Sequence, residues 1–338
     1  MGLQVSDIIP KEEIALEDLN GKIIAVDAFN VLYQFITTIR QADGNPLMDS
    51  HGNVTSHLSG IFYRTTNMLS MGIKPVFVFD GKAPEMKLKT QEARIALKKE
   101  AIERFETAET MEERAKYASR TARLTSEMIA ETKELLSALG IPYVQAPSEG
   151  EAQASYMVGK GDAWAVGSQD YDSLLFGATR LIQNLTLSKT RRLPSGAVVA
   201  ITPQLIELKK VLAALEITRD QLISLGILVG TDYNPKGVMG IGQKTALKII
   251  KQHKSLADAI EEIRKTKPVE FDWKPIYELF KKPSVTDDYK LKFEKIDRDK
   301  VKKILTRHDF SEERIDSAID KVYDIKKKKS QKDLKKFF

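Results

Sequence analysis

Four carboxylates form two close pairs in one stretch of the sequence: Glu149 with Glu151, and Asp170 with Asp172. The first pair lies at the start of a helix predicted over 152–158, where Ser148 and Glu151 have the spacing of a capping box. The second pair follows an apolar strand predicted over 163–166, the place where open α/β sheets bind ligands. A helix cap and an ordinary turn are the structural alternatives to a role in chemistry.

Three more carboxylates occupy equivalent places. Asp27 and Asp80 end the buried parallel strands predicted over 21–27 and 74–80, and Asp232 ends another apolar run. Because the carboxyl ends of parallel strands meet at one edge of a sheet, all these acids can converge there. Like charges at close range raise each other's pKa, so such a pocket requires cations.

The donor types indicate which cations and which chemistry to expect. Ligands that are all carboxylate oxygens favour Mg²⁺ or Mn²⁺ over zinc. Two such ions about 4 Å apart would stabilise the attacking and leaving oxygens of in-line phosphoryl transfer, with a metal-bound water as nucleophile. The chain has no cysteine and only four histidines, which excludes thiolate sites and a zinc cluster.

The composition is that of a globular protein, and the absence of cysteine indicates an intracellular protein or at least one that needs no disulfides. With 338 residues, the chain is long enough for about two domains and a large core. Its formal net charge of +6 and sequence pI of about 9.1 permit a polyanionic partner. The N-terminus has no signal-peptide pattern, and no apolar run of about 18 residues could span a bilayer.

Alternating strands and helices would position the acids. Helices are predicted over 28–40, 55–71 and 122–139, and a short edge strand over 141–144. This order predicts an α/β fold with a parallel sheet and helices on both faces. Farther along, 181–187 and 198–201 are predicted to pair as a hairpin around 189–192, and Thr202 to begin a helix.

The segment 82–120 has a different composition, with ten Lys or Arg and eight Asp or Glu but few large apolar residues. This pattern predicts one or two helices that project into solvent. A solvated charged helix is the structural interpretation. The functional interpretation is a basic arch over the acidic site, with Lys87 and Arg94 on one helix face.

A glycine-rich turn, Gly240-Ile241-Gly242, opens a helix with lysines at positions 244 and 248 and follows the helix predicted over 221–229. Backbone N–H groups and the helix dipole at such a turn bind phosphate. We therefore predict a helix–turn–helix unit that holds the backbone of a nucleic acid without reading its bases.

The end of the chain changes character twice. The sequence of 255–323 predicts several short helices whose role is packing and not chemistry. The final residues then follow a pattern with four anchors: Gln331, Leu334, Phe337 and Phe338. Apolar anchors on one helical turn suit docking into a groove on a partner, and a frayed tail is the structural alternative.

These motifs together resemble the structure-specific 5′ nuclease family, and the match is closest to its flap endonuclease branch. The motifs that carry the resemblance are I-A-V-D-A-F-N, K-P-V-F-V-F-D-G-K-A-P, A-P-S-E-G-E-A-Q-A, G-S-Q-D-Y-D-S-L-L-F, L-V-G-T-D-Y-N and G-I-G-Q-K-T-A. The resemblance implies a PIN-like parallel-sheet nuclease core, a helical arch and a helix–two-turn–helix DNA-binding unit. It also implies Mg²⁺-dependent cleavage of 5′ flaps in Okazaki fragment maturation and base-excision repair.

The same resemblance implies roles for individual residues. One cation would be held by Asp27, Asp80, Glu149 and Glu151, and a second by Glu151, Asp170, Asp172 and Asp232. Lys87 and Arg94 would contact the scissile phosphate. DNA contacts are expected from Tyr33, Arg40, Thr55, Gly240, Gly242, Lys244 and Lys248, with Tyr33 stacking on a displaced base and carbonyls of the glycine turn holding K⁺.

The resemblance also implies a domain organisation and partners. The expected regions are 1–98 and 121–256 for the nuclease core, 99–120 for the rest of the arch, 257–325 for a C-terminal helical region and 330–338 for the clamp peptide. The partners would be branched DNA with a 5′ flap and the sliding clamp PCNA. We expect a monomeric, cytoplasmic protein of archaeal type.

Three other functions are compatible with parts of the pattern. A 5′–3′ exonuclease or bubble nuclease of the same family would share the acidic centre. An Asp-nucleophile phosphatase would need a second acid two residues after Asp27, where this chain has Phe29. A non-enzymatic DNA-structure adaptor bound to the clamp has no need for all seven acids.

Overall fold

A computed structural model describes residues 3–41, 45–87, 99–100, 103–104, 107, 110, 123–186, 190–192, 198–253 and 255–334. The main sheet contains β1 (Glu12–Glu13), β2 (Ile23–Asp27), β3 (Lys74–Phe79), β4 (Tyr143–Gln145), β5 (Ala165–Gly167), β6 (Arg180–Gln183) and β9 (Gln204–Glu207). A separate ribbon pairs β7 (Thr190–Arg192) with β8 (Val198–Ala200).

The main sheet has the strand order β1-β9-β6-β5-β2-β3-β4. The run from β6 to β4 is parallel, whereas β9 is antiparallel to both of its neighbours. β4 lies at the edge, as predicted. The predicted α/β class with a parallel-sheet core is therefore confirmed.

The helices form a layer on each face of the sheet. They are α1 (Ala28–Thr38), α2 (Ser56–Ser70), α3 (Ser126–Ala138), α4 (Gly150–Lys160), α5 (Asp172–Leu175), α6 (Leu208–Leu215), α7 (Arg219–Val229), α8 (Gln243–Gln252), α9 (Leu256–Arg264), α10 (Trp273–Lys281), α11 (Arg298–Thr306) and α12 (Glu312–Leu334). Short 3-10 helices span Leu16–Leu19 and Glu85–Lys87.

Alternating residues of the central strands separate two cores. In β3, Val76 and Val78 belong to the core that includes residues of α4 and α7, whereas Phe77 and Phe79 belong to the core that includes residues of α1, α2 and α3. Successive side chains of a strand point to opposite faces, so a strand with helices on both sides is apolar throughout. This is why the predicted strands read as continuous apolar runs.

Two predictions on the far side of the sheet are wrong. Residues 181–187 do not form the predicted hairpin with 198–201, because β6 pairs with β5 and β9, and the ribbon strand β7 contains 190–192 instead of a turn. Thr202 does not begin a helix either. Leu205 and Ile206 are buried in β9, and the helical spacing of apolar residues begins only at Leu208.

The other predicted elements are present with shifted ends. The helix predicted over 122–139 spans Ser126–Ala138 and is capped by Thr125, whose hydroxyl accepts from the Met128 N–H. Most of the charged segment 82–120 lies outside the described residues. None of the helices in the described part of the chain combines the length and apolar character needed to cross a bilayer.

Candidate active site

Four parallel strands deliver carboxylates to the same edge of the sheet. Asp27 is the last residue of β2, and Asp80 directly follows β3. Glu149 follows β4 and Asp170 follows β5 after short loops. Because β5, β2, β3 and β4 are adjacent in that order, these residues come together although the sequence separates them widely.

The loop after β4 is held against the end of β3. The N–H of Gly150 donates to Asp80 Oδ1 at 2.6 Å, and the Gly81 N–H donates to the Ser148 carbonyl at 2.6 Å. The predicted capping box is therefore wrong, because α4 begins at Gly150 with Glu149 as its N-cap residue and no side-chain cap. A Cβ atom on Gly150 would lie 2.7 Å from Asp80 Oδ1, so this close approach requires glycine.

Asp27 and Asp170 are connected through one side chain. Asp27 caps α1 by accepting from the Asn30 N–H at 3.0 Å. The Asn30 amide then donates from Nδ2 to Asp170 Oδ2 at 2.9 Å. The ends of β2 and β5 are thereby linked across the site.

Glu151 and Asp172 are also held by hydrogen bonds. Ser168 Oγ donates to Glu151 Oε1 at 2.8 Å, and Ser173 Oγ lies 3.4 Å from the same oxygen. The backbone N–H of Leu3 donates to Asp172 Oδ1 at 3.3 Å, so the start of the chain closes the floor of the site.

Lys87 enters the acidic centre from the 3-10 helix after β3. Its Nζ lies 2.6 Å from Glu149 Oε2 and 3.6 Å from Asp232 Oδ2. The same ammonium group lies 6.0 Å from the centre of the Tyr233 ring, which packs edge-on against Phe280. Lys87 is therefore a cation placed among the carboxylates.

The burial of so many acids changes their protonation. Burial and the nearby Asp80 raise the pKa of Asp27 well above its ordinary range. Burial, followed by Asp27, Asp170 and Asp172, has the same effect on the pKa of Glu151. Burial, with Asp232 and Asp170, raises the pKa of Asp172 to about 7. The centre therefore has an excess of negative charge that a cation would relieve.

The donor set suits hard divalent cations, because the acidic side chains at the centre all offer carboxylate oxygens and the sequence has no cysteine. Within the described residues, no three carboxylates or imidazoles are arranged so that one ion could bind all of them directly. The ammonium of Lys87 offsets part of the charge by pairing with Glu149 and Asp232.

The predicted helix–turn–helix unit is formed by α7 and α8. Gly242 is the N-cap residue of α8, which carries Lys244 and Lys248, and Gly240 has a left-handed backbone with φ of 74°. The carbonyls of Met239 and Gly240 accept from Lys267 Nζ at 3.1 and 3.5 Å. An ammonium group thus lies at the turn for which K⁺ was predicted.

The turn between Asp232 and this unit is fixed by a buried asparagine. Asn234 Oδ1 accepts from Thr231 Oγ1 at 2.7 Å, and Asn234 Nδ2 donates to the Ile227 carbonyl at 2.7 Å. Gly237 then bonds back to the Asn234 carbonyl at 2.8 Å. Asp232 and the glycine-rich turn are therefore joined by a loop with its own hydrogen bonds.

The remaining predicted DNA contacts lie at different places. Tyr33 projects from α1 with 45% of its surface exposed, as a stacking residue requires. Arg40 instead folds back onto α1, where Nε donates to the Thr37 carbonyl at 2.9 Å. Thr55 is buried, and its N–H donates to the Leu47 carbonyl.

Several predicted positions lie at the limits of the described residues. Arg94, Phe337 and Phe338 fall outside them, whereas Gln331 and Leu334 lie in the last turns of α12. Sequence reasoning missed Asn30, Ser168 and Tyr233, all of which lie within motifs already recognised. Their position two or three residues from a carboxylate, or next to one, was the available signal.

Comparison with known proteins identifies the class. Residues 3–101 match the XPG N-terminal domain, and residues 140–232 match the XPG I-region. The first region contains Asp27, Asp80 and Lys87, and the second contains the other acids of the centre. The fold and the acidic site thus belong to an XPG-type nuclease.

Full-length relatives define the family more narrowly. The chain is 53% identical to flap endonuclease 1 of Aeropyrum pernix over 95% of its length and 94% of that protein. It is 50% identical to flap endonuclease 1 of Pyrococcus furiosus over 100% and 99% of the two chains. The solved flap endonuclease-1 of Methanococcus jannaschii superimposes with a TM-score of 0.76 at 43% identity, over 97% of this chain and 100% of that one. The chain belongs to the flap endonuclease family, and the resemblance found in its motifs is confirmed.

Proposed function

We propose that the protein is a Mg²⁺-dependent flap endonuclease that cuts 5′ flaps at the junction of single- and double-stranded DNA. The processes it would serve are Okazaki fragment maturation and base-excision repair. The observation that carries this proposal is the convergence of acids from neighbouring strand ends, with a lysine among them. No other arrangement among the described residues combines so many buried carboxylates with a basic neighbour.

Two groups of residues would hold two cations. The proposed ligands are Asp27, Asp80, Glu149 and Glu151 for one ion, and Glu151, Asp170, Asp172 and Asp232 for the other, with Mn²⁺ able to replace Mg²⁺. Each ion would have to draw its carboxylates closer together than they lie in the described structure, or bind some of them through water. When bound, two such ions supply positive charge to the attacking and leaving oxygens of a phosphodiester. The raised pKa values of Asp27, Glu151 and Asp172 support cation binding, because burial disfavours the charged acids in the absence of a cation.

Basic side chains would act directly on the scissile phosphate. Lys87 lies at the acidic centre, and its ammonium would stabilise the negative charge that develops on the phosphoryl oxygens during cleavage. Arg94 would add a second cation from the arch. Both would also reduce repulsion between the DNA backbone and the acids.

The rest of the surface would select the substrate. Backbone N–H groups at Gly240 and Gly242, with Lys244 and Lys248, would hold the phosphates of the downstream duplex. Tyr33 would stack on a displaced base, because its ring is exposed on α1, the helix that directly follows Asp27. Arg40 and Thr55 would also contact DNA. To do so, they would have to exchange their hydrogen bonds to the Thr37 and Leu47 carbonyls for contacts to the DNA.

The proposed partners include the sliding clamp PCNA, bound through Gln331, Leu334, Phe337 and Phe338. A K⁺ ion at the glycine turn is also proposed, in competition with the ammonium of Lys267. We propose that the protein acts as a monomer in the cytoplasm of an archaeal cell. The proposed regions are those stated from the sequence, with the nuclease core in 1–98 and 121–256.

A double-flap DNA labelled at its 5′ end tests the function. It is incubated with Mg²⁺ or EDTA beside a plain single strand and a blunt duplex. One dominant product cut near the junction, absent with EDTA and poor on the other DNAs, is the expected result. Mononucleotides released from duplex DNA would instead show a 5′–3′ exonuclease. If none of the DNAs is cut in the presence of metal but DNA binding is intact, the protein is an adaptor.

A further inference from the structure

Asn30 connects the ends of two neighbouring strands at the acidic centre. Its backbone N–H is bound by Asp27 at the end of β2, and its side chain reaches the loop after β5. In that loop it contacts two consecutive residues, since Nδ2 donates to Asp170 Oδ2 at 2.9 Å and Oδ1 accepts from the Gln169 N–H at 3.4 Å. One side chain therefore pairs with both the backbone and the acid of the loop.

This pairing defines the orientation of the amide. With the amide rotated by half a turn, its oxygen would face the carboxylate of Asp170 and its NH₂ group would face the N–H of Gln169. Both contacts would then be repulsive. The site consequently requires a donor and an acceptor at fixed positions on a short side chain, which asparagine provides.

The position of Asn30 on its helix makes this contact rigid. It lies in the first turn of α1, whose start is fixed by the cap from Asp27. The side chain is half-buried between β2 and β5, which pair directly in the sheet. Asp170 is thus oriented by a residue of α1, the helix that directly follows β2 and Asp27, another acid of the same centre.

We propose that Asn30 is a positioning residue that orients the Asp170 carboxylate for divalent cation binding. The proposal rests on the function proposed above, because it assigns Asp170 to the cation site. Groups that hydrogen-bond to metal ligands fix their geometry, and their loss typically lowers metal affinity by about 10- to 100-fold. Asn30 would act only through Asp170 and would not contact the ion.

The test measures cation binding without DNA. Free Mn²⁺ is followed by electron paramagnetic resonance during titration of the full chain and of the variants Asn30→Leu and Asn30→Ser. Leucine has a similar size but no polar atoms, and serine is too short to reach Asp170. We expect both variants to bind Mn²⁺ about 10-fold more weakly or worse, with unchanged DNA affinity in EDTA. If Asn30→Leu does not fold, as judged by its thermal unfolding, Asn30→Ser decides the result.

A matched control and a double variant separate positioning from packing. Asn67 lies in the last turn of α2, shortly before β3 begins. It is therefore near the amino ends of the parallel strands, whereas the acidic centre is at their carboxyl ends. Asn67→Leu should bind Mn²⁺ as the wild type does. Because Asn30 is proposed to act through Asp170, adding Asn30→Leu to Asp170→Ala should weaken binding no further.

Two results would overturn the inference while leaving the proposed function intact. In the first, Asn30→Leu and Asn30→Ser bind Mn²⁺ with wild-type affinity. In the second, adding Asn30→Leu to Asp170→Ala lowers Mn²⁺ affinity as much as Asn30→Leu lowers it in the wild type. Asn30 would then not act through the Asp170 carboxylate. A wild-type protein that binds no Mn²⁺ would overturn the proposed function itself, and the inference with it.

Discussion

Lys87 Nζ lies 2.6 Å from Glu149 Oε2, and the half-buried lysine and the buried glutamate lie among the acids at the carboxyl edge of the sheet. Burial disfavours the charged ammonium, but the attraction of Glu149, with Asp232 and Asp80, outweighs it and raises the pKa of Lys87. The lysine therefore stays charged throughout the neutral range. It balances part of the acidic charge and is available to a phosphate that enters the same space.

Removing this ammonium should slow chemistry more than it weakens binding. We expect Lys87→Ala to lower the single-turnover cleavage rate by about 100-fold or more, because a preorganised cation no longer stabilises the transition state. DNA affinity should change much less. Lys82→Ala is the control, because Lys82 is exposed on the same segment outside the acidic centre. Equal losses of rate and affinity in Lys87→Ala would show that this lysine only attracts DNA.

A second charged cluster should make stability depend on acid pH. Asp49 is buried and accepts from Asn53 and His308, each at about 3.0 Å. Burial alone would raise the pKa of Asp49, but these hydrogen bonds hold it well below its ordinary value of 3.8. A lowered folded-state pKa contributes stability that is fully present above that ordinary value and is lost as the pH falls below it.

The check compares Asp49→Asn with the wild type. Unfolding by urea is measured for both proteins at pH 6, 4 and 3. We expect the wild type to be the more stable at pH 6 and the difference to shrink as the pH falls. A difference that stays constant over this range would mean that the charge of Asp49 contributes nothing and that only its shape matters.

The loop between Asp232 and the glycine-rich turn should not tolerate a side chain at Gly237. This residue has a φ of 53°, and an added Cβ atom would lie 2.4 Å from the carbonyl oxygens of Leu228 and Val229. We expect Gly237→Ala to lower the free energy of unfolding by about 2 kcal/mol or more and to weaken duplex binding.

Gly159→Ala is the matched control for that variant. Gly159 lies in α4, and an added Cβ atom there would meet no atom within 4 Å. The substitution should raise stability by about 0.5–1 kcal/mol, because alanine favours a helix over glycine. If both variants behave alike in urea unfolding, the close contacts at Gly237 are not the cause of any loss.

Removing the C-terminal peptide should change only the response of the protein to the sliding clamp. Deleting 331–338 should abolish stimulation by a sliding clamp and leave the intrinsic cleavage rate unchanged, because the residues of α12 that belong to the core, Ile315 and Ile319, precede this segment in the chain. Triple replacement of Leu334, Phe337 and Phe338 by alanine should have the same effect. Stimulation that survives both changes would identify the segment as a tail without this role.

The core and the acidic edge could be predicted because their signals are local. The apolar runs before Asp27 and Asp80 are buried on both faces of the sheet, and such strands show no alternation. An acid at the end of such a run must lie at the carboxyl edge. Once several strands are parallel, the convergence of their acids follows from geometry alone.

The errors arose where the partner of a residue lies far away in the chain. Ser148 does not cap α4, because the helix begins at Gly150 with Glu149 as its N-cap residue, and the Gly150 N–H donates to Asp80, which follows β3. The pairing of β6 with β9 likewise depends on how the chain returns to the sheet, which the residues of β6 do not specify. Arg40 is an error of the opposite kind, because its partner is close in the chain. Its guanidinium donates to a carbonyl of α1 instead of projecting toward DNA.

The most direct test of the acidic centre as a cation site compares Asp170→Ala with the wild type on a double-flap DNA. Affinity is measured in EDTA, and single-turnover cleavage is measured with Mg²⁺. We expect the affinity to stay measurable and close to that of the wild type, while cleavage falls by orders of magnitude. Near-normal cleavage by Asp170→Ala would contradict the central claim that acids from neighbouring strand ends form one catalytic cation site.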